Sequence, residues 1–319
     1  MPDAYPPIVP VRTRGEAASD AGRVHDHNED AFAFFEDDTS AIALVADGIG
    51  HHRSGENAAT RIVDACASLY RGRGASVLDA LAETWWVGEH GTGSPGARVR
   101  PFSTLPIAER VELREHVRRL LEHRVPEAMG DIAVLEAEKE SLLGIPKRVL
   151  ERANADVMRR IERDRAWSGL GAACVCVIFA AGHASIAHAG DCRVYRVRGS
   201  SIEALTKDHT LQNEYAKLPP ELRTELTQEE IAALHPNVLT RGIGFQDKVD
   251  IDMSTLALEP GDLFLLATNG FWQAFSEMEL LTTLRSRRTG AAAYLVDRGK
   301  RSRPAHPGDN LTAVVVEIV

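Results

Sequence analysis

Cysteine is scarce: four residues in 319, at Cys66, Cys174, Cys176 and Cys192, with no CxxC pair among them. So sparse a set excludes a disulfide framework, and no Cys/His spacing supports a zinc site. Cys174 and Cys176 share one apolar run and one face if that run is a strand, so buried reduced thiols acting as small hydrophobes are expected. Long apolar runs are also lacking; none approaches the roughly eighteen residues of a spanning helix. Positive charge is in deficit, with 37 Lys+Arg against 46 Asp+Glu and a net charge of −9. This balance argues against general affinity for nucleic acid or for an anionic membrane surface. The opening Met1-Pro-Asp-Ala-Tyr-Pro-Pro7 has no basic-then-apolar signal segment, so the cytoplasm is the expected compartment. There is no internal repeat and no low-complexity tract.

What remains is an ordinary globular balance, 44% hydrophobic, enough for one large domain or two small ones. Residues 1–14 read as a loose leader. Ala31–Phe35 and Ala41–Ala46 read as strands joined by a polar turn. A helix opens at Ser54-Gly-Glu56, with Ala58, Ala59, Ile62, Val63, Cys66 and Leu69 at helical spacing. From about 71 to 106 Gly, Ser, Pro and Arg accumulate after Trp85-Trp86, the composition of an insertion or lid. Residues 107–165 are charged and helix-rich. Val111, Leu113, Val117, Leu120 and Leu121 form one apolar stripe, and Val149, Leu150, Ala153, Val157, Met158 and Ile161 another. Own-core packing is the simpler use of such stripes, and a partner surface within 71–165 is the alternative. Strand patterns return at Ala172–Ala181, Ala184–Ala189 and Arg193–Arg198 in short hairpins. Residues 208–240 read as a mostly helical excursion. Two further strands, Leu263–Thr268 and Leu311–Val319, and a helix near Ser276–Arg288 complete the series. Clustered rather than alternating elements predict an α+β fold with packed sheets.

Carboxylates stand where several of these strands meet loops. Asp47-Gly48 closes the run Ala41–Ala46, Asp309-Asn310 opens the run Leu311–Val319, and Asn28-Glu29-Asp30 precedes the first strand. Converging, they would offer hard oxygen donors suited to Mg²⁺ or Mn²⁺.

Eight segments in order then resemble the metal-dependent PPM family of protein phosphatases, also called type 2C, and its bacterial members in particular. They are Gly22-Arg-Val-His-Asp-His-Asn-Glu-Asp30, Val45-Ala-Asp-Gly-Ile-Gly50 with His52-Arg-Ser-Gly-Glu56, Gly169-Leu-Gly-Ala-Ala173, Ala189-Gly-Asp-Cys-Arg-Val-Tyr195, Leu205-Thr-Lys-Asp-His-Thr210, Leu239-Thr-Arg-Gly-Ile-Gly244, Ala267-Thr-Asn-Gly-Phe-Trp272 and Asp309-Asn-Leu-Thr312. The resemblance implies a PPM-type β-sandwich of two antiparallel sheets flanked by helices, as a single domain over 1–319. It also implies a helical insertion at about 71–150, with no counterpart in the family, and a flap at about 208–241. It implies hydrolysis of phosphoserine or phosphothreonine on proteins by water activated between two divalent ions, Mn²⁺ or Mg²⁺. The implied partner is a phosphorylated protein, a serine/threonine kinase or its target. By the same resemblance Asp47 bridges the two metals, the Gly48 carbonyl and Glu29 serve one of them, Asp30 is a nearby acid, and Asp309 binds the other. Asp191 and Arg193 also match the family and are assigned a structural role, Asp191 tying a strand turn or pairing with an arginine.

Three departures qualify the activity. Asn269 stands where the family has an aspartate ligand, and an amide oxygen brings no charge. A weakened enzyme, a site disabled by design and a catalytically inactive pseudophosphatase that binds a partner all remain open on that residue. His25 occupies the position of a phosphate-gripping arginine, with Arg23 two residues away as a substitute. Ile49 replaces a His or Met, leaving His51, His52 or water as proton donor. Ala172-Ala173, with no acid before Gly169, put a third metal in doubt. A phosphatase for small phosphorylated metabolites is a further option.

Overall fold

A computed structural model describes residues 10–23, 26–50, 54–71, 142–164, 167, 169–219, 221, 227, 238–301 and 309–319. The chain divides into two compact units, residues 1–67 with 143–319, and residues 68–142. Almost all of the second unit lies outside the described residues. With it go Trp85-Trp86, the stripe from Val111 to Leu121 and most of the 71–150 insertion, as does the middle of the 208–241 segment.

The first unit is built on two five-stranded sheets. One runs β1 (Thr13–Asp20), β10 (Leu311–Ile318), β9 (Leu263–Ala267), β6 (Arg193–Arg198) and β7 (Ser201–Ala204). The other runs β2 (Asp30–Glu36), β3 (Ser40–Ile49), β4 (Gly171–Ala180), β5 (His183–Ala189) and β8 (Asp252–Ala257). All pairings are antiparallel. The central strands are the most apolar because both of their faces are covered. One face of β3 and β4 (Ala41, Ala43, Val45, Val175, Val177, Phe179) meets Phe264, Leu266, Val314 and Val316 of the other sheet. Phe179 and Phe264 meet edge-on at 5.0 Å. The α+β sandwich expected from the sequence is the observed fold.

Helices cover the outer faces. α1 (Ser54–Arg71) buries Ala58, Ala59, Ile62 and Cys66. α2 (Ile145–Arg163) buries Val149, Leu150, Ala153 and Val157 and packs on β4 and β5. A short α3 (Leu211–Lys217) begins the 208–241 segment and α4 (Asn269–Trp272) follows β9. On the other sheet, α5 (Glu277–Ser286) and α6 (Ala291–Arg301) bring Leu280, Leu284 and Leu295 onto Leu265, Ala313 and Val315. A capping box between Ser276 and Glu279 starts α5. All four cysteines are free and buried.

Three strands (β1, β7 and β8) and two helices (α4 and α6) depart from the sequence reading. The leader is not loose at its end, because Thr13 and Arg14 already pair in β1 and Val11 is buried. β1 (TRGEAASD) and β8 (DMSTLA) lie at sheet edges, where only one neighbour and little burial are required. Neither therefore shows an apolar alternation. β7, α4 and α6 were also unread.

Candidate functional site

The site forms where strand ends from both sheets come together. Asp47, near the end of β3, pairs across the ladder with Asp30 on one side and Ala173 on the other. Asp191 sits in the turn from β5 to β6. Asn269 opens α4 directly after β9, and Asp309 and Asn310 lie directly before β10. Backbone contacts too close for a side chain bring these loops together. Gly190 has φ of +107°, and a Cβ there would lie 2.4 Å from the Ala173 Cβ. A Cβ on Gly270 would lie 2.2 Å from the Asn310 carbonyl oxygen.

Asn310 ties its own loop to the one between β1 and β2. Its Oδ1 accepts from the Glu29 N–H at 2.7 Å, and its Nδ2 donates to the carbonyls of Ala21 at 2.8 Å and His27 at 3.2 Å. The Glu29 carbonyl in turn accepts from the Gly48 N–H at 3.2 Å. Glu29, Gly48 and Asp309 are thus positioned by one amide. Asp30 is held from the opposite sheet, where the Thr268 hydroxyl donates to its Oδ2 at 2.8 Å.

Asp47, Asp191 and Asn269 line a cavity of about 190 Å³, closed on its apolar side by Ile49, Leu239 and Phe245. Burial first, then repulsion from Asp30, Asp191, Asp309 and Glu29, pushes the Asp47 carboxyl well above the ordinary range. Burial likewise raises Asp30 to about 7, against the stabilising Thr312 and Thr268 hydroxyls. It raises Asp191 to about 6, against the Asn269 hydrogen bond. Among the described residues no cationic side chain forms an ion pair with Asp30, Asp47 or Asp191. Asp30 Oδ1, Asp191 Oδ1 and Asn269 Oδ1 are buried without a hydrogen-bond partner. Buried oxygens gathered with mutually repelling carboxyls are the donor set of a hard cation, so the residues present fit a divalent metal.

Asp191 corrects the sequence reading. It neither ties a turn with its carboxylate nor pairs with an arginine; it faces Asp47's cavity and accepts from Asn269 Nδ2 at 3.2 Å. Arg193 instead forks onto Asp208 at 2.9 and 2.6 Å and lies 3.4 Å over the Trp272 ring. The signal was available: Gly190-Asp191 is an acid at a strand end, the same sign that marked Asp47. Asn310, Thr268, Leu239 and Phe245 were not singled out, because their roles are contacts across the sandwich. Arg23 is exposed and makes no ion pair or hydrogen bond among the described residues. His25, His51 and His52 lie outside them.

The family model for Protein phosphatase 2C matches residues 19–293. The chain belongs to the protein phosphatase 2C family. It is similar to the serine/threonine phosphatase stp of Listeria monocytogenes, 25% identical over 306 residues, 95% of this chain and 94% of the relative. It is 34% identical to the protein phosphatase PhpP of Streptococcus pneumoniae over 125 residues, 39% of this chain and 48% of that relative. The fold is that of the Mycobacterium tuberculosis serine/threonine phosphatase PstP/Ppp, with a TM-score of 0.62 at 22% identity, covering 97% of this chain and 99% of that one. A structure of the PstP catalytic domain in complex with two manganese ions matches with a TM-score of 0.61 at 21% identity, over 97% and 99% of the two chains. In this chain the amide of Asn269 is bonded to Asp191.

Proposed function

We propose that this phosphatase hydrolyses phosphoserine and phosphothreonine on proteins and needs Mn²⁺ or Mg²⁺ to do so. The observation that carries the reading is the cavity at Asp47, where buried carboxyls and partnerless oxygens from both sheets converge. Its relatives' names, and the manganese held by PstP, support the same assignment. Glu29, Asp47, the Gly48 carbonyl, Asn269 and Asp309 would hold the metals. Two divalent ions bound there supply Lewis-acid polarisation of a phosphoryl group and a water acidic enough to ionise near neutral pH.

The chain's own residues do the rest. Asp47 lies centrally, repelled by four other carboxyls. Asn269 donates its Nδ2 hydrogen to Asp191, which leaves its Oδ1 as the donor atom for a metal. A neutral oxygen holds a cation less tightly than a carboxylate, so activity is expected to be weak rather than absent. Asp30, fixed by Thr268, is an acid beside Asp47 rather than a ligand. Ile49, Leu239 and Phe245 limit water on the apolar side. Arg23 and His25 remain the proposed phosphate contacts. In this reading residues 1–319 make one phosphatase domain interrupted at about 71–150 and bordered by a flap at about 208–241. The protein acts in the cytoplasm on a kinase or its target. Among the described residues no helix is long and apolar enough to cross a membrane.

Asn269 also favours a second reading, a pseudophosphatase that binds partners. The two part on Mn²⁺-dependent hydrolysis of a phosphothreonine peptide, with calorimetric Mn²⁺ binding alongside, for this chain, Asn269→Asp and Asp47→Ala. The enzyme reading expects slow turnover here, faster turnover and tighter Mn²⁺ binding in Asn269→Asp, and neither in Asp47→Ala. Unchanged turnover in Asp47→Ala refutes the site. Inert protein at 269 Asn and Asp alike, with metal bound, favours the partner-binding reading.

A further inference from the structure

A second cavity, of about 270 Å³, lies between α1 and the last turns of α2. Its rim carries Arg61, Arg159, Arg160 and Arg163, with Trp167 on one side and Val157 at its base. Four arginines around one hollow run against a chain of net charge −9. Two basic residues in the last turn of a helix answer its dipole. That does not explain Arg61, which comes from another helix to the same cavity. The one acid there, Asp156, is engaged by Arg159. Arg61, Arg160 and Arg163 have no acidic partner among the described residues. The Arg160 guanidinium lies 4.5 Å over the Trp167 ring, a contact that orders the side chain while leaving its N–H fork open.

This cavity is tied to the wall of the Asp47 cavity. Asn154, one turn before the arginines, accepts from the Gly244 N–H at 2.8 Å and donates to the carbonyls of Gln246 at 2.9 Å and Asp247 at 3.0 Å. Val157 packs so tightly that a Cβ on Gly244 would lie 2.8 Å from it. The next residue, Phe245, lines the cavity of Asp47.

We propose that the arginine cavity docks a second phosphoryl group on the same phosphoprotein whose first phosphate enters the Asp47 cavity. The phosphatase thereby favours multiply phosphorylated segments. Guanidinium forks match phosphate oxygens bidentately, and arginine clusters are the general device for reading phosphorylated residues. The proposal rests on the protein-phosphatase reading given above.

The test measures fluorescence anisotropy of labelled peptides carrying one or two phosphothreonines at several spacings, and KM and kcat with Mn²⁺. Proteins compared are the full chain, Arg160→Gln/Arg163→Gln, and Arg148→Gln/Arg152→Gln, which loses equal charge from α2 outside the cavity. One spacing of the doubly phosphorylated peptide should bind about tenfold tighter than the single one, the scale of one charge-assisted contact. The Arg160/Arg163 variant should lose that preference through KM, with kcat and the singly phosphorylated substrate unchanged, while the control keeps it. Equal binding of both peptides at every spacing overturns the proposal. So does a preference that survives replacing the second phosphothreonine by glutamate, or one that inorganic phosphate abolishes at the peptide's own concentration. Arginine-dependent preference in the anisotropy without turnover of any peptide upholds the docking site and refutes the activity instead.

Discussion

Replacing Asn310 by alanine tests whether one buried amide assembles the site. The side chain makes three hydrogen bonds to three loop positions, and the residue is 5% exposed. A net hydrogen bond contributes about 1 kcal/mol, and stranding its partner costs more when the partner is out of water. Glu29 and Ala21 are half-buried, whereas His27 is exposed and its carbonyl regains water. The expected loss is therefore about 2.5 kcal/mol rather than the sum of three full penalties, or roughly 4 °C in melting temperature. A distinguishing effect lies in metal linkage. Glu29 and Asp309 flank the lost amide, so Mn²⁺ binding should weaken about tenfold, lowering the Mn²⁺-induced stabilisation by about 1.4 kcal/mol at saturating metal. Thermal unfolding by calorimetry, in chelator and across a Mn²⁺ titration, reads both quantities. Asn310→Asp keeps an acceptor for the Glu29 N–H but sets an anion against two carbonyls, so it should not rescue either. Stability within 0.5 kcal/mol of the parent chain in chelator, together with an unchanged Mn²⁺ increment, would refute the reasoning.

Gly270→Ala should displace the Asp309-Asn310 loop, because its Cβ would meet the Asn310 carbonyl at 2.2 Å. Loss of Mn²⁺ binding with about 1–3 kcal/mol of destabilisation is expected, and a variant with native Mn²⁺ affinity counts against it. In chelator, stability should rise as pH falls from 7.5 to 6.5. Burial raises Asp30 to about 7 and Asp47 well above the ordinary carboxylate range, so the folded chain holds protons there that free carboxyls near 3.8 do not. Below 6.5 the trend should weaken, since burial lowers the pKa of His188 and His209 and their protonation favours the unfolded chain. Calorimetry over that range, with a flat or opposite slope, would count against the buried acid cluster. In metal-free protein Asn269→Asp should lower the melting temperature, because a carboxylate replaces the N–H donor 3.2 Å from Asp191; with Mn²⁺ the order should reverse. The same sign in both conditions would dismiss Asn269 as a ligand.

The parts legible in the sequence were those whose environment is uniform along an element. β3 and β10 are covered on both faces, so their apolar runs declare them, and acids at their ends stand out as exceptions. α2 declared itself by one stripe, with Val149, Leu150, Ala153 and Val157 buried as its period requires and Met158 and Ile161 only half-buried. β1 and β8 were silent because an edge strand needs ladder partners, and β10 and β5 supply those whatever the side chains are.

The site was legible by a different rule and failed by a different rule. Asp30, Asp47 and Asp309 could be picked out singly, since each is a charge at the end of an apolar run. Asp191 carries the same mark, but what it and Asn310 do depends on an atom elsewhere. Asn310 matters through the N–H of Glu29 and two carbonyls, and Asp191 through the amide of Asn269. The Asn269–Asp191 contact also changes what the substitution at 269 means. Taken alone, the amide is a ligand lacking its charge. Set beside Asp191, it is a donor that lets two oxygen-bearing side chains approach within 3.2 Å before any cation arrives. A carboxylate there would add charge for the metal and repulsion for the empty fold at once. The residue therefore moves metal affinity and metal-free stability in opposite directions, a trade that one position in a sequence cannot display.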